Sequence, residues 1–260
     1  MGKITSSNYM NGDEKMVIEV NKSIFDSLTE TEKTVVKYIN SNESNIPKMS
    51  IVDVAEKSFT SPATVSRTIK KCGLEGFSEL RYKISAKNDY NHDSKKVNEI
   101  LGKSLIEVTK TIENISVENV LKTVRLIKEA KRIYILARGL TELVAQEFNL
   151  KLELLGYNTF LIVDPNIMRK ICKTLDKEEL VIVFSLKIGS PEIVESAESA
   201  VKTGAKLITC CCVKNSKLEN LSDITLIGYK QSRTAIKEFE VTSRLPLFII
   251  SRAIIDYLII

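Results

Sequence analysis

The stretch FTSPATVSRTIKKCGLEGFSELR, from Phe59 to Arg81, constrains the fold of this chain more than any other part of the sequence. Ser61 is a residue type that caps helices, and Pro62 fits the first helical position, where its missing N–H costs nothing. Gly73 suits the left-handed residue that ends a helix. The apolar residues between them recur at helical spacing and share one face. The stretch therefore predicts a short amphipathic helix that ends just before Gly73.

The outer face of this predicted helix combines small hydroxyls with cations. Hydroxyl and methyl groups can contact base edges in the major groove, while Arg and Lys reach bases or phosphates. A solvated surface helix is the alternative interpretation of the same residues. The candidate DNA-contacting residues are Ser61, Ala63, Thr64, Ser66, Arg67, Lys70 and Lys71.

The residues upstream predict the helices against which such a reading helix packs. Thr29 and Glu32 have the spacing of a capping box, which opens a helix, and Ser50 begins a second, shorter one. A short turn that contains Phe59 then leads into the reading helix. This order is typical of a helix-turn-helix, and a fourth helix over residues 78–87 can close the bundle. The sequence therefore predicts double-stranded DNA as a partner.

Composition limits the class of protein. The net charge of +5 is a modest basic excess, which is compatible with nucleic-acid binding. The five cysteines have no regular spacing, so we expect buried thiols in a reduced cytosol rather than a metal or redox site. The apolar stretch Pro246–Ile260 is too short to span a bilayer and carries charges. We expect a cytoplasmic protein with no membrane partner, metal or cofactor.

The pattern changes after residue 97. Two helical segments, over 97–115 and 117–131, precede continuous apolar runs that alternate with amphipathic stretches. Runs buried on both faces and joined by helices imply a parallel sheet, and hence a three-layer α/β sandwich. The predicted strands are 132–137, 159–163, 180–184, 206–212 and 224–227, and the predicted helices between them are 141–155, 165–174, 191–203 and 216–221.

The fold class predicted is an all-α helix-turn-helix domain followed by an α/β three-layer sandwich with a parallel sheet. The predicted boundaries are 20–88 for the DNA-binding domain, 89–96 for a polar linker and 97–260 for the second domain. The last helix is apolar around much of its circumference, so we expect part of it to pack between subunits of a homodimer or higher oligomer. Two DNA-contacting helices that are related by a two-fold axis favour an operator with an inverted repeat. The apolar residues concerned are Leu245, Phe248, Ile249, Ile254, Ile255, Leu258 and Ile259.

The segment MSIVDVAEKSFTSPATVSRTIKKCGLEGFSELRYKI resembles the N-terminal module of the RpiR-type bacterial transcription regulators, and the match extends from Leu28 to about Lys87. The resemblance implies a second domain of the SIS (sugar isomerase-like) type. It also implies a regulator of carbohydrate metabolism whose effector is a phosphorylated sugar or amino sugar.

Two loops are candidates for holding that effector. Ligands of open parallel sheets bind beyond the carboxyl ends of the strands, where N–H groups of the following helices point at anions. The loop over 137–141 is similar to the GxGxS turn of SIS domains, and the loop over 185–190 stands where the family has SxSGxT. The resemblance implies that the phosphosugar-binding residues are Gly139, Thr141, Ser185, Lys187 and Ser190.

The second loop departs from the family pattern at two positions. Lys187 stands at the second Ser and adds a charge that could pair with phosphate. Ile188 stands at the Gly, where it restricts the backbone and could fill part of the pocket. Two interpretations therefore remain open: an anion site with altered chemistry, and a loop that no longer binds an anion. Each of these residues, taken singly, could also be an ordinary helix cap.

An enzyme is the principal rival interpretation. SIS domains also occur in aldose–ketose isomerases, which need a His and a Glu or Lys near the sugar. The single histidine, His92, falls in the polar linker, and Glu238 and Glu240 have no evident partner base. We therefore expect no enzymatic activity. The alternatives are a DNA-binding dimer whose SIS domain serves only oligomerisation and, less favoured, a sugar-phosphate isomerase.

Overall fold

The computed structural model describes residues 22–87, 92–187, 190–231 and 234–260. The chain forms two compact units that divide between Gly102 and Lys103. The sequence predicts a linker over 89–96, but the structure already begins a helix at His92, inside that range. Asp93 lies in the first turn of this helix, where a negative charge is favourable. The polar residues 93–96 therefore belong to the start of a helix, whereas residues 88–91 lie outside the described residues, and the predicted domain boundaries stay a prediction.

The N-terminal unit is built of short helices around one apolar core. The side chains of Val35, Ile39, Val65 and Ile69 are fully buried in this core. A 3₁₀ turn over Ile46–Lys48 contributes to the same core. The helices are α1 (Lys22–Ser27), α2 (Glu30–Ser41), α3 (Ile51–Lys57), α4 (Pro62–Lys71) and α5 (Phe77–Lys87).

The predicted helix starts are confirmed at the level of single hydrogen bonds. The Thr29 side chain accepts from the Glu32 N–H, while the Glu32 carboxylate accepts from the Thr29 N–H at 2.9 Å. Ser50 and Asp53 repeat this reciprocal arrangement at the start of α3. These local bonds satisfy backbone donors that a helix start leaves free. They fix the beginnings of α2 and α3 without help from the rest of the fold.

The second unit alternates strands and helices, as the sequence predicts, and each predicted strand is present with small shifts at its ends. A two-strand hairpin between β5 and the last helix was not predicted. The elements are α6 (His92–Asn114), which spans the division between the units, α7 (Val117–Glu129), β1 (Arg132–Leu136), α8 (Glu142–Leu154), β2 (Thr159–Ile162), α9 (Pro165–Ile171), β3 (Glu179–Ser185), α10 (Pro191–Thr203), β4 (Lys206–Cys211), α11 (Lys217–Leu221), β5 (Ile224–Ile227), β6 (Ala235–Ile236), β7 (Phe239–Glu240) and α12 (Leu245–Ile259).

The first five strands form one parallel sheet in the order β2-β1-β3-β4-β5. Alternate residues of β3 face opposite sides of it. Ile182 and Phe184 join a core with α7, α8 and α12, whereas Val181 and Val183 join a core with α9, α10 and α11. The predicted three-layer α/β sandwich is therefore confirmed.

Helix α12 packs against α7 and α8 and leaves an apolar edge exposed. Ile254 and Ile255 are buried in the core of the unit, while Phe248 and Ile259 are exposed. The helix thus completes its own domain first, and only part of its apolar surface is available for another subunit. None of the helices in the described ranges is both long and apolar enough to cross a lipid bilayer.

Candidate DNA-binding helix and anion pocket

Helix α4 has the start that the sequence predicts. The Ser61 hydroxyl caps it by accepting from the Thr64 N–H at 3.1 Å. Val65 and Ile69 are fully buried on its inner face. Thr68 is also buried, and its hydroxyl donates to the backbone carbonyl of Thr64 at 2.8 Å. Helix α4 is therefore anchored along one side and presents the other side outward.

The outward side carries most of the predicted DNA-contacting residues. Ala63, Arg67 and Lys70 are exposed, while Thr64 and Ser66 are half-buried. The Thr64 hydroxyl lies 2.9 Å from the Ser61 hydroxyl and 3.5 Å from Nη2 of Arg67. Hydroxyl groups and a guanidinium thus meet at the N-terminal end of α4, which is the end that reads bases in helix-turn-helix proteins.

Lys71 has a contact within the protein. Its ammonium lies 2.7 Å from a Glu32 carboxylate oxygen, which joins α4 to α2. The side chain of Glu32 is only 8% exposed, whereas that of Lys71 is 49% exposed. The hydrogen bond from Lys71, with that from Thr29, lowers the pKa of Glu32 below its usual value. Lys71 therefore neutralises a buried carboxylate, and its predicted role in DNA binding stays a prediction.

The strand order places a cleft in the second unit. The sheet runs outward in opposite directions from the β1–β3 pair, and ligands of such sheets bind at the carboxyl ends of the strands at this reversal. A cavity of about 240 Å³ lies there, lined by Arg138, Thr141, Phe184, Ser185, Leu186, Lys187, Ser190, Ile193, Glu240 and Arg244. We call this cavity the anion pocket.

Four of the five residues predicted from the two loops line the anion pocket: Thr141, Ser185, Lys187 and Ser190. The Ser190 hydroxyl oxygen is buried and does not cap α10, so an ordinary capping role does not explain it.

Gly139, the fifth predicted residue, is not among the residues that line the pocket. Its N–H donates to the Glu142 carboxylate at 2.8 Å, and its φ of +61° is one that glycine adopts readily. Gly139 therefore serves the turn into α8, and its predicted role in phosphosugar binding stays a prediction. Ile188 and Gly189, in the second predicted loop, lie outside the described residues.

Sequence reasoning missed two cations and underrated one carboxylate. Arg138 lines the pocket and donates to the Val163 carbonyl at 2.7 Å. The β6–β7 hairpin carries Glu240 to the pocket, and Arg244 follows at the start of α12. Arg138 sits inside the loop already singled out, so its charge was a usable signal. Glu240 precedes the last helix, where enzymes of the resembled family carry an acid, so its position was also a usable signal, whereas nothing in the sequence spacing indicated that Arg244 returns to the strand ends.

Glu240 joins two of the cations. Its carboxylate lies 3.2 Å from Nζ of Lys187 and 3.5 Å from Nη1 of Arg244. Burial raises the pKa of Glu240, but hydrogen bonds from Thr242 and Lys187 outweigh this effect and leave the pKa below its usual value. Three cations and one carboxylate therefore give the pocket a net positive charge, which favours an anionic ligand.

No group of three or more His, Cys, Asp or Glu side chains in the described part of the chain is arranged to hold a metal ion. The Cys172, Cys210, Cys211 and Cys212 thiols have raised pKa values because they are buried, so they are poor metal ligands and poor nucleophiles.

Two family models match this chain. One is the helix-turn-helix domain of the rpiR family, over residues 15–90, and the other is the SIS domain, over residues 126–250. The chain belongs to the RpiR-type transcription regulators. An HTH-type transcriptional regulator of Clostridium perfringens is 26% identical over 232 residues, which are 84% of this chain and 83% of that protein.

Solved structures share the fold of this chain, either over both units or over the second unit alone. The NanR protein of Vibrio vulnificus, solved in complex with ManNAc-6P, is 18% identical, with 91% of this chain and 89% of that chain covered and a TM-score of 0.58. The sugar isomerase domain of an RpiR transcription factor from Sphaerobacter thermophilus is 15% identical, with 62% and 87% covered and a TM-score of 0.56. At these identities the likeness establishes the fold.

The Glu32–Lys71 pair generates a pH-dependent prediction. Lys71→Ala should destabilise the N-terminal unit by about 1 kcal/mol, because the buried Glu32 carboxylate loses its counter-charge. The effect is modest because the Lys71 side chain is half-exposed, so water already screens the pair. A lowered folded pKa means that the pair stabilises the fold above the unfolded pKa of about 4.3 and loses this effect as pH falls through the folded pKa. The deficit, measured by urea denaturation, should therefore be present at pH 7 and shrink on acidification.

Lys70→Ala is the matched control, since Lys70 is an exposed neighbour on the same helix turn. The Lys70→Ala substitution should leave the free energy of unfolding nearly unchanged, both at pH 7 and at acidic pH. An equal loss in both variants, or a Lys71→Ala deficit that grows towards low pH, would contradict the assigned role of Lys71.

Proposed function

We propose that this regulator binds double-stranded DNA through α4 and senses a phosphorylated sugar or amino sugar in the anion pocket. The proposal of ligand sensing rests on one observation. Arg138, Lys187 and Arg244 lie around a cavity at the carboxyl ends of β1 and β3. A phosphate dianion matches this excess of positive charge, and the pocket hydroxyls can bond sugar oxygens. Because its proposed target is chromosomal DNA, we place the protein in the cytoplasm.

In the proposed sensor, the Glu240 carboxylate competes with the ligand for the cations of the pocket. Without ligand, its carboxylate pairs with Lys187 and Arg244. A bound phosphate would compete for the same cations and release the carboxylate towards the sugar. Since Glu240 lies on the β6–β7 hairpin, ligand binding would loosen the contacts of that hairpin with Lys187, which follows β3, and with Arg244, which precedes α12.

The chemistry of the pocket also favours an amino sugar derivative among the phosphorylated sugars. Glu240 and the hydroxyls of Thr141 and Ser185 can accept hydrogen bonds from an amide or ammonium group. The ManNAc-6P bound to NanR is a ligand of this class in a protein of the same fold.

Substitutions at two pocket residues, Lys187 and Glu240, should change the affinity for ligand in opposite directions. Lys187→Ala should weaken binding of ManNAc-6P about tenfold, because a charge-assisted contact worth about 1.5–3 kcal/mol is lost while its pairing with Glu240 offsets part of that value. Glu240→Gln should instead tighten binding of inorganic phosphate, because the competing carboxylate is gone. Calorimetry on the full chain measures both, with a panel of hexose 6-phosphates beside ManNAc-6P.

The control is Lys217→Ala, which removes a lysine that is paired with Glu198 elsewhere in the same unit. This variant should bind as the wild type does. If no phosphorylated sugar binds the wild type at millimolar concentration, the second domain is an oligomerising scaffold and the sensing proposal fails.

The pocket argues against an isomerase. No histidine is among the residues that line it, and the single histidine of the chain, His92, begins α6. The lowered pKa of Glu240 makes its carboxylate a weak base for removing a proton from carbon. We therefore propose a sensor without turnover, although a Listeria monocytogenes protein of this fold (14% identical, TM-score 0.52, 66% of this chain and 91% of that chain covered) is described as a candidate sugar-phosphate isomerase.

The DNA-reading half is tested at Arg67. This residue is exposed in the middle of α4, where a guanidinium can make a bidentate contact with guanine or bind a phosphate. Arg67→Ala should lower affinity for DNA selected from a random pool by about 1–3 kcal/mol at fixed salt. If it reads a base, specificity should relax at one position of the site. Wild-type affinity in this variant would exclude α4 as the reader.

The second domain also offers a surface for a second copy of the chain. Leu143, Leu150 and Leu154 are exposed on α8 at spacings of seven and four residues, which place them in one row opposite the buried face of the helix. Glu147 lies in the same row and pairs with Lys151. Two α8 helices related by a two-fold axis would bring leucine rows together and let these charges pair across the axis.

We propose that this leucine row, with the exposed edge of α12, forms the homodimer interface. Helix α12 packs beside α8, so Phe248 or Ile259 can extend the apolar surface. This proposal keeps the expectation from sequence that part of α12 packs between subunits, and it adds the leucine row of α8 to that interface. A dimer would present two α4 helices to an inverted-repeat operator, with half-sites separated by whole turns of roughly 10 bp.

The leucine row predicts the outcome of sedimentation experiments. Leu150→Glu should convert a dimer at micromolar concentration into a monomer, because a charge would be buried at the centre of the interface. Ile167→Glu is the matched control, since Ile167 is an exposed apolar residue of α9 on the opposite side of the sheet. A monomeric wild type, or dissociation by the control alone, would reject this surface.

A further inference from the structure

Phe59 combines two properties that rarely occur together. The residue is 94% exposed, although phenylalanine usually lies in a core. Its φ is +53°, in the left-handed region that favours glycine. The residue lies in the turn between α3 and α4.

Local hydrogen bonds hold the turn in this conformation. The Phe59 N–H donates to the Glu56 carbonyl at 3.1 Å, and the Thr60 N–H donates to the Ala55 carbonyl at 2.8 Å. The tight turn therefore requires a left-handed residue at position 59, whichever side chain it carries. A phenylalanine there adds strain that glycine would avoid.

Packing does not compensate for this strain. The ring is almost entirely in solvent, so it contributes little apolar burial to the N-terminal unit. A strained backbone position that carries an exposed aromatic ring indicates a function outside the fold of the unit.

The position of the ring relative to α4 indicates what it contacts. Phe59 precedes the N-cap residue Ser61 by two positions. In helix-turn-helix proteins the N-terminal residues of the second helix contact base edges, so the turn that leads into this helix lies beside the duplex. Phenylalanine is one of the side chains that make apolar contact with the 5-methyl group of thymine in the major groove.

We propose that the ring of Phe59 contacts a thymine methyl group at the edge of the DNA site that α4 reads. This inference rests on the proposed function of α4 and adds a base-discriminating residue to it. The contact is apolar, so it contributes to sequence preference and not to the salt dependence that phosphate contacts produce.

The first test compares Phe59→Gly with the wild type on DNA that the full-length wild type selects from a random pool. The variant should fold at least as well, because glycine suits a φ of +53°. Its affinity should fall about tenfold, while the slope of log affinity against log salt concentration stays unchanged. Phe59→Asn, which also tolerates the left-handed region, should behave in the same way and guards against a folding artefact of the glycine variant.

The second test replaces each thymine of the selected DNA with deoxyuracil, which lacks the 5-methyl group. One replacement should weaken wild-type binding about as much as Phe59→Gly does, and the same replacement should have no effect on the variant. Tyr82→Ala is the control, because Tyr82 is an exposed aromatic residue on α5 of the same unit. It should bind DNA as the wild type does.

The outcomes separate this inference from the function on which it rests. If Arg67→Ala loses affinity and Phe59→Gly does not, α4 reads DNA and the inference about Phe59 is overturned. If neither variant loses affinity, the proposed reading helix is itself rejected. If Phe59→Gly loses affinity but no deoxyuracil replacement matches it, the assignment to a thymine methyl group is overturned.

Discussion

The reversal of strand order between β1 and β3 is the constraint on which the second unit depends. A parallel sheet must bury both faces, so the helices that connect its strands divide between two layers. Helices α7, α8 and α12 cover one face and α9, α10 and α11 cover the other. The connections leave β1 and β3 in opposite directions, and the cleft between them is where the anion pocket forms. Fold and candidate site thus have one origin.

Two of the three pocket cations form ion pairs within the protein, while Arg138 donates to a backbone carbonyl. Three positive side chains at one strand edge would repel each other, and Glu240 offsets part of that repulsion through Lys187 and Arg244. Arg244 stands at the start of α12, and α12 packs against α8. A ligand that displaces Glu240 would therefore act on the elements proposed to form the dimer interface. If both proposals hold, this continuous set of contacts connects ligand binding physically to subunit assembly.

In the N-terminal unit, by contrast, local hydrogen bonds determine where the helices begin. Capping boxes at Thr29 and Ser50 and the cap at Ser61 set three helix starts through contacts within four residues. A long-range pair, Glu32 with Lys71, then joins α2 to α4. Arg67 and the ring of Phe59 are exposed on the outer surface and take no part in this core, which is why they are proposed to contact DNA.

The sequence by itself determined most elements of both units, since caps, helical spacing and continuous apolar runs are local signals, but it did not predict α1 or the β6–β7 hairpin. It also placed Thr141, Ser185, Lys187 and Ser190 at the strand ends, because parallel strands bring their carboxyl ends to one edge. Tertiary structure alone decided that Gly139 serves a turn and that Lys71 neutralises a buried carboxylate. It also decided that the hairpin returns Glu240 to the pocket. These contacts join residues far apart in the chain, or depend on backbone direction, and neither is encoded in the spacing of residue types.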